Sequence, residues 1–137
     1  MKEHTTNYYN TFIEIADDCP TEKAEIPPIK ADAKSVANIQ FEFINKNPYK
    51  FTSDDVLFSV FAERKELLED ELENARKEFF SKGQACFRAS PLTKRYGWGL
   101  HSNSEGRIAL YAAGSEEYER LKNDLSLKKY KAMKSKR

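Results

Sequence analysis

The hydrophobic pattern near the N-terminus predicts a β-strand over residues 8–15. Every second position carries a β-branched or aromatic side chain, so a strand places these on one face: Tyr9, Thr11, Ile13 and Ile15. Residues 21–34 lose this alternation, and Pro27-Pro28 forces an extended backbone that excludes a helix. We therefore expect one strand followed by a long loop.

Residues 35–46 fit two patterns. Their apolar positions alternate as in a strand, but several of them also share one face of a helix. We interpret the segment as a helix because Ser35 is a favourable N-cap residue and the Asn47-Pro48 pair would end it.

Two further helices are expected within residues 52–82. A Thr-x-x-Asp capping box over residues 52–55 predicts a helix that runs to about Arg64. Apolar residues recur at helical spacing over residues 66–82, and Gly83 is typical of the position beyond a helix C-terminus.

Three strands are expected next, at residues 85–90, 96–102 and 107–112. Pro91 ends the first of them. The other two form a hairpin, because Asn103 suits the first position of a type I turn and Gly106 suits a left-handed residue at its end. This turn fixes the register, in which six pairs oppose each other: Trp98 and Ala112, Gly99 and Tyr111, Leu100 and Leu110, His101 and Ala109, Ser102 and Ile108, Asn103 and Arg107.

The register divides the hairpin into two faces. The face expected to meet the core carries large apolar residues: Tyr96, Trp98, Leu100, Ile108 and Leu110. Phe87 belongs inward by size, which sends Arg88 outward. We call the outer side the arginine-rich face, and its candidate ligand-binding residues are Arg88, Arg95, His101, Arg107 and Tyr111. Gly97 and Gly99 on the same side weaken a strand unless a ring or a ligand approaches closely.

Three interpretations of the arginine-rich face stay open. Forked guanidinium donors suit phosphate or carboxylate, and His101 adds a proton-dependent donor. Alternatively, His101 acts as a general base, with a nucleophile or acid from a nearby side chain: Ser90, Tyr96 or Cys86. The third interpretation is a solvated sheet surface covered by arginine stems.

The fold class is expected to be α+β, with an antiparallel sheet of about four strands and three to four helices, mainly on one face. Residues 1–127 form a single domain, in which Ser115 begins a last short helix with an apolar stripe: Tyr118, Leu121 and Leu125. Residues 128–137 form a mobile basic tail. The segment 120–137 has a net charge of +7, which suits either nucleic-acid binding or solubility.

Composition limits the class of protein. The 137 residues are 39% hydrophobic, enough for one core, and no apolar run approaches the roughly 20 residues that span a bilayer. The polar N-terminus does not resemble a secretory signal, so we expect a cytoplasmic protein without membrane contacts. Cys19 and Cys86 have no paired spacing and are expected to be free thiols. Neither a metal nor another cofactor is expected.

Several stretches of this chain resemble a family of small bacterial proteins that is catalogued as a domain of unknown function. They are TTNY and TFIE at residues 5–8 and 11–14, NPYK and TSDDVLF at residues 47–50 and 52–58, and RASPLTKRYGWG at residues 88–99. The resemblance covers nearly the whole chain. It implies a stand-alone bacterial protein and brings no activity, cofactor or site residue.

The leading hypothesis from the residues is a non-enzymatic module that binds an anionic ligand on the arginine-rich face. This ligand is a phosphate-bearing small molecule or nucleic acid, with the basic tail assisting. The alternative is a small cytoplasmic enzyme that uses His101 as general base.

Overall fold

One four-stranded sheet organises the computed structural model, which describes residues 3–21, 23–30 and 33–135. Its strands are β1 (Thr11–Glu14), β2 (Trp98–Ser102), β3 (Ile108–Ala112) and β4 (Lys128–Lys131). The order across the sheet is β3-β2-β1-β4, with β4 parallel to β1 and the other pairs antiparallel. The α+β class is confirmed, and the sheet is mixed rather than wholly antiparallel.

The hairpin of β2 and β3 has the predicted register. Trp98 pairs with Ala112, and the ladder continues without a shift to Ser102 and Ile108. The Asn103 N–H donates to the Arg107 carbonyl at 2.9 Å, and Gly106 has a φ of +80°. Glycine adopts this left-handed conformation at no steric cost, which is why it closes the loop.

Five α-helices accompany the sheet in the described residues: α1 (Val36–Lys46), α2 (Ser53–Arg64), α3 (Leu72–Phe79), α4 (Pro91–Lys94) and α5 (Glu116–Lys122). Capping boxes begin α1 at Ser35 and α2 at Thr52. In each box the cap side chain accepts a backbone N–H three residues on, and that residue's side chain accepts the cap N–H. The helical interpretation of residues 35–46 is therefore confirmed.

The third helix is shorter than predicted. Instead of one helix over residues 66–82, a 3-10 turn at Glu69–Glu71 leads into α3. Glu66 adopts a left-handed φ of +53°, which separates this segment from α2. The helix also ends well before Gly83. Apolar spacing identified the helical face but not these local breaks.

Residues 85–90 do not form the predicted strand. Phe87–Ala89 makes a 3-10 turn, and the Ser90 hydroxyl caps α4 by accepting the Leu92 N–H at 3.1 Å. Pro91 occupies the first turn of α4, where its missing N–H costs nothing. The prediction that Pro91 ends a strand is wrong because a Ser-Pro pair equally well begins a helix.

The basic C-terminal segment is part of the sheet. The prediction that residues 128–137 form a mobile tail outside the fold is wrong for residues 128–131, which are β4. The Lys128 N–H donates to the Asn10 carbonyl at 3.0 Å, and Ala132 beyond the strand is buried in the main core. Pairing with a strand at the other end of the chain determines this conformation, so local composition does not indicate it.

Side chains on both faces of the sheet are buried. On one face, Ile13, Leu100 and Ile108 belong to the main core together with residues of α1 and α2. On the other face, Phe12 and Tyr118 form a second cluster under α5. Both Phe12 and Ile13 of β1 are completely buried, because the strand is covered on both sides.

Packing explains Gly99. A Cβ atom at this position would lie 2.6 Å from the Phe12 ring and 2.7 Å from the Tyr118 ring. The outer side of the hairpin is therefore covered by α5 at this point. The close packing of two aromatic rings, rather than a ligand, explains the glycine.

Candidate functional site

Arg88 forms a hydrogen bond with the β4 edge of the sheet. Its Nε donates to the Lys131 carbonyl at 2.8 Å, and its guanidinium lies over the Tyr130 ring, 5.5 Å from the centroid. The N–H groups of Lys128 and Ala132 point to β1, so strand alternation places the Lys131 carbonyl on the outer edge of β4. The placement of Arg88 on a sheet strand beside His101 is wrong, because its segment is a 3-10 turn.

The other two candidate arginines point to different places. Arg95 is exposed at the end of α4, and the Arg107 guanidinium donates to the Lys50 carbonyl at 2.6 Å. Among the described residues, no hydrogen bond, ion pair or ring contact joins these arginines or Arg88 to His101. The five predicted residues therefore do not converge through contacts.

His101 and Tyr111 are brought together by Tyr49, a residue that the sequence did not single out. The Tyr49 hydroxyl lies 2.7 Å from His101 Nδ1 and 2.6 Å from the Tyr111 hydroxyl. The rings of Tyr49 and His101 meet edge to face, with centroids 5.6 Å apart. We call this arrangement the tyrosine–histidine chain.

The loop after α1 positions Tyr49. Its N–H donates to the Ile108 carbonyl at 2.9 Å, and the Ile108 N–H donates to the Phe51 carbonyl at 2.9 Å, so the loop extends the edge of β3. Tyr49 has a φ of +60°, which a bulky residue rarely adopts. The only local signal of this loop is the proline that precedes Tyr49, and it indicates a helix end rather than contact with His101.

Burial sets the protonation of the tyrosine–histidine chain. Burial lowers the pKa of His101, and the Asp124 carboxylate opposes this effect. Burial and then the hydrogen bond to Tyr111 raise the pKa of Tyr49. At neutral pH the imidazole is therefore neutral and the phenol protonated, and His101 Nε2 makes no hydrogen bond to a described residue.

A larger feature lies on the helical side of the molecule. A cavity of about 560 Å³ opens between α1, α2, the end of α3 and residues 84–91. We call it the Gln40 pocket. Most of its wall is apolar, with contributions from each of these elements: Val36, Leu57, Phe79 and Pro91 among others. Its size and lining are typical of small-molecule sites.

Gln40 provides a buried polar group in this pocket. The residue is only 3% exposed, and its Oε1 accepts the Ser90 hydroxyl at 2.6 Å. The Ser90 oxygen already accepts the Leu92 N–H, so the hydroxyl proton is directed to the Gln40 carbonyl oxygen. The Gln40 carboxamide nitrogen has no acceptor among the described residues. This nitrogen is not completely enclosed, and Gln40 lines the pocket, so the amide is a donor that a ligand or water in the pocket can reach.

The charged residues of the pocket are cations. Arg64 and Lys65, at the end of α2, line it, and no acidic residue does. Both are exposed, and neither makes an ion pair with a described residue. A neighbouring cavity of about 590 Å³ shares Lys65 but is also lined by exposed acidic residues: Asp70, Glu71 and Glu78. The Gln40 pocket differs in combining positive charge with an amide donor that has no acceptor among the described residues.

Cys86 also lines the Gln40 pocket. Its Sγ lies 3.4 Å from the Tyr8 hydroxyl, and the Tyr8 ring packs against Tyr130 with centroids 5.4 Å apart. Burial, followed by the bond to Cys86, raises the pKa of Tyr8 to about 12. The proposed partners of His101 therefore have other neighbours: Cys86 contacts Tyr8, and Ser90 contacts Gln40.

Two further classes of site are absent from the part of the chain that the structure describes. These residues contain no group of three His, Cys, Asp or Glu side chains placed to hold a metal ion. They also contain no helix with the length and hydropathy needed to cross a membrane.

Comparison with known proteins identifies a family and nothing closer. No curated protein and no solved structure matches the chain. The family model of DUF6157, described as a family of unknown function, matches residues 3–137, nearly the whole length. The chain therefore belongs to the DUF6157 family.

Proposed function

We propose that the protein binds a small organic anion, an apolar body with a carboxylate or similar group, in the Gln40 pocket. The observation that carries this proposal is the Gln40 carboxamide nitrogen, a donor in the wall of an open cavity that has no acceptor among the described residues. This ligand class agrees with the sequence hypothesis of anion binding, but the site moves from the arginine-rich face to the helical side.

The wall and the charge of the pocket support an amphipathic ligand. An apolar body gains about 25 cal/mol for each Å² of surface that leaves water. The Gln40 amide and the cations Arg64 and Lys65 then select the anionic group, because a hydrogen bond to a charged partner contributes about 1.5–3 kcal/mol. A cation would meet two positive charges and no carboxylate in the lining.

Titration of ¹⁵N-labelled protein with hexanoate, benzoate, inorganic phosphate and a short oligonucleotide tests the proposal. We expect hexanoate or benzoate to shift the Gln40 side-chain amide signals. Gln40→Glu keeps an acceptor for Ser90 but replaces the donor by a carboxylate, so Kd should rise at least about tenfold. Gln40→Leu is the second variant, since a buried glutamate can lower stability.

Arg95→Ala is the matched control, because Arg95 is exposed and does not line the pocket. We expect it to leave Kd unchanged. The pocket would be the wrong site if Gln40→Leu bound the carboxylates as well as the wild type. If phosphate or the oligonucleotide shifted the signals of Arg95 and Arg107 instead, the binding site would lie on the arginine-rich face.

A His101-centred enzyme is the second candidate. It is supported by the hydrogen bond between the Tyr49 hydroxyl and His101 Nδ1, which orients the ring, and by the lowered pKa of His101, which keeps the imidazole neutral at neutral pH. The same titration separates the two candidates. Shifts of the His101 ring signals without shifts at Gln40, together with ligand turnover that His101→Asn abolishes, would favour the enzyme.

A further inference from the structure

We propose that Cys86 is a nucleophilic thiol in the wall of the Gln40 pocket, where it adds to α,β-unsaturated carbonyl compounds that carry an anionic group. The inference rests on the proposed function, because the pocket and its preference for anions would bring such a compound to the thiol.

The surroundings of Cys86 place a hydroxyl and a cation close to its sulfur in the wall of an open cavity. The side chain is half-buried rather than sealed in the core, and it lines the cavity. The Tyr8 hydroxyl, 3.4 Å from Sγ, stays protonated at neutral pH because its pKa is raised to about 12, so it can donate to the thiolate. The Arg88 guanidinium, stacked on Tyr130 beside Tyr8, adds positive charge nearby. A hydrogen-bond donor and a cation both stabilise a thiolate, the form of cysteine that reacts.

Gln40 points to a ligand in the same cavity independently of the thiol. The residue is 3% exposed and lines the cavity, and its carboxamide nitrogen has no acceptor among the described residues, so the group that suits it best is a carbonyl or carboxylate oxygen. In an α,β-unsaturated carbonyl compound this oxygen becomes negative as the thiolate attacks. A donor placed beforehand therefore assists the reaction as well as the binding.

The addition balances without a further reactant. The Cys86 thiol loses its proton, and the sulfur electron pair forms an S–C bond to the β-carbon. The C=C π pair moves towards the carbonyl, whose oxygen carries the negative charge of the enolate. The enolate carbon then takes up a proton equivalent to the one released, so the product is a thioether and no oxidant or reductant is consumed.

Cys19 provides an internal comparison. It is also a half-buried free thiol, but it packs against the main core and does not line the Gln40 pocket. Both cysteines in one chain experience the same reagent, buffer and temperature. A difference in their rates therefore reports on their surroundings.

The experiment measures alkylation of both cysteines by peptide mass spectrometry. The reagents are N-ethylmaleimide, which is neutral, and 3-maleimidopropionic acid, which is an anion at neutral pH. We expect the anionic reagent to modify Cys86 at least tenfold faster than Cys19. Gln40→Leu should remove most of this advantage, and Tyr8→Phe should slow Cys86 with both reagents while leaving Cys19 unchanged.

Binding of hexanoate to Cys86→Ser separates failure of this inference from failure of the proposed function. If this variant binds hexanoate but wild-type Cys86 reacts no faster than Cys19, the reactive thiol is excluded and the binding function stands. If neither binding nor selective reaction is seen, both fail. Equal rates for the two reagents at Cys86, unaffected by Gln40→Leu, would identify an ordinary accessible thiol and overturn the inference.

Discussion

Ser102 carries a buried hydroxyl without a partner in the described part of the chain. The residue is 1% exposed and lies in the middle of the sheet, between β1 and β3. An unpaired hydroxyl in such a place destabilises the folded state. We expect Ser102→Ala to leave the free energy of unfolding unchanged or to raise it by up to about 1 kcal/mol, as measured by urea denaturation.

Thr93→Val is the control for this prediction. The Thr93 hydroxyl is also buried, but it donates to the Phe87 carbonyl at 2.6 Å. Removing it should lower stability by about 1 kcal/mol, because the Phe87 carbonyl loses its shorter hydrogen bond and keeps only the Ser90 N–H at 3.2 Å. If the two variants lose equal stability, the Ser102 hydroxyl has a partner in solution.

His101 predicts how stability depends on pH. Its pKa in the folded protein is lowered, chiefly by burial, below the value of about 6.5 in an unfolded chain. Between these two pKa values the unfolded chain binds more protons than the folded protein does. The contribution of the neutral His101 to the free energy of unfolding is therefore complete above about pH 6.5 and is lost as the pH falls through the folded pKa. The titratable groups beside the imidazole are Asp124, whose lowered pKa keeps it ionised here, and Tyr49, whose raised pKa keeps it protonated; Tyr111 is hydrogen-bonded to Tyr49.

The variant that checks this pH dependence is His101→Asn, which keeps an acceptor near Nδ1 for Tyr49 but cannot titrate. Urea denaturation at pH 7.5 and pH 5.5 gives the free energy of unfolding of both proteins. The stability advantage of the wild type, which is its free energy of unfolding minus that of His101→Asn, should be smaller at pH 5.5 than at pH 7.5. An advantage that grows on acidification would mean that the His101 pKa is raised rather than lowered.

At the scale of elements, residues 5–7 of the N-terminal segment are hydrogen-bonded to the start of α2. The Asp54 carboxylate accepts the Thr5 hydroxyl, the Thr6 N–H and the Thr6 hydroxyl, each at 2.7 Å. In return, the Asp54 N–H donates to the Asn7 side chain at 2.9 Å. Two of the stretches that carry the family resemblance, residues 5–8 and 52–58, are therefore bonded to each other.

Asp54→Asn should loosen this connection. The neutral amide weakens three bonds to a charged acceptor, and we expect the free energy of unfolding to fall by about 1–3 kcal/mol. Asp70→Asn is the matched control, since Asp70 is exposed and makes no hydrogen bond or ion pair with a described residue. Thermal denaturation of both variants measures the difference, and equal melting temperatures would show that the N-terminal segment contributes little.

Elements whose signals are local could be predicted from the sequence. The hairpin register follows from Asn103 and Gly106, which lie within the turn itself, and the starts of α1 and α2 follow from caps within four residues. The segment 85–90 could not be predicted in this way, because its short apolar pattern suits a strand or a 3-10 turn equally. Leu125 is a similar case: it was assigned to the apolar stripe of the last helix but is 99% exposed beyond the end of α5.

At the scale of the whole molecule, the candidate sites depend on contacts between distant segments. Tyr49 reaches His101 across a separation of 52 residues, and Ser90 reaches Gln40 across 50. Residue types alone directed attention to arginines, because guanidinium groups suit anions wherever they lie. The Gln40 pocket could not be predicted, since its decisive feature is a missing partner, which only a packed structure reveals.

The sheet joins residues from opposite ends of the chain. β1 pairs with β2 on one side and with β4 on the other, so its second neighbour is supplied only by the C-terminal segment. Deleting residues 128–137 should therefore expose the edge of β1 and remove its ladder with β4. At about 0.5–1.5 kcal/mol for each hydrogen bond, four bonds along this four-residue ladder contribute about 2–6 kcal/mol, a large part of the 5–15 kcal/mol typical of a domain.

Deletion of residues 136–137 alone is the control for this truncation, because it removes two positive charges and leaves β4 intact. Trp98, the only tryptophan, packs on Phe41 beside the main core and reports unfolding by fluorescence. We expect the shorter deletion to unfold at the urea concentration of the wild type and the longer one at a clearly lower concentration, with a tendency to aggregate through the exposed strand edge. Coincident unfolding of all three proteins would restore the view that the basic segment is a tail. The physical difference is that a tail contributes charge, whereas a strand contributes hydrogen bonds that no other part of the chain supplies to that edge of β1.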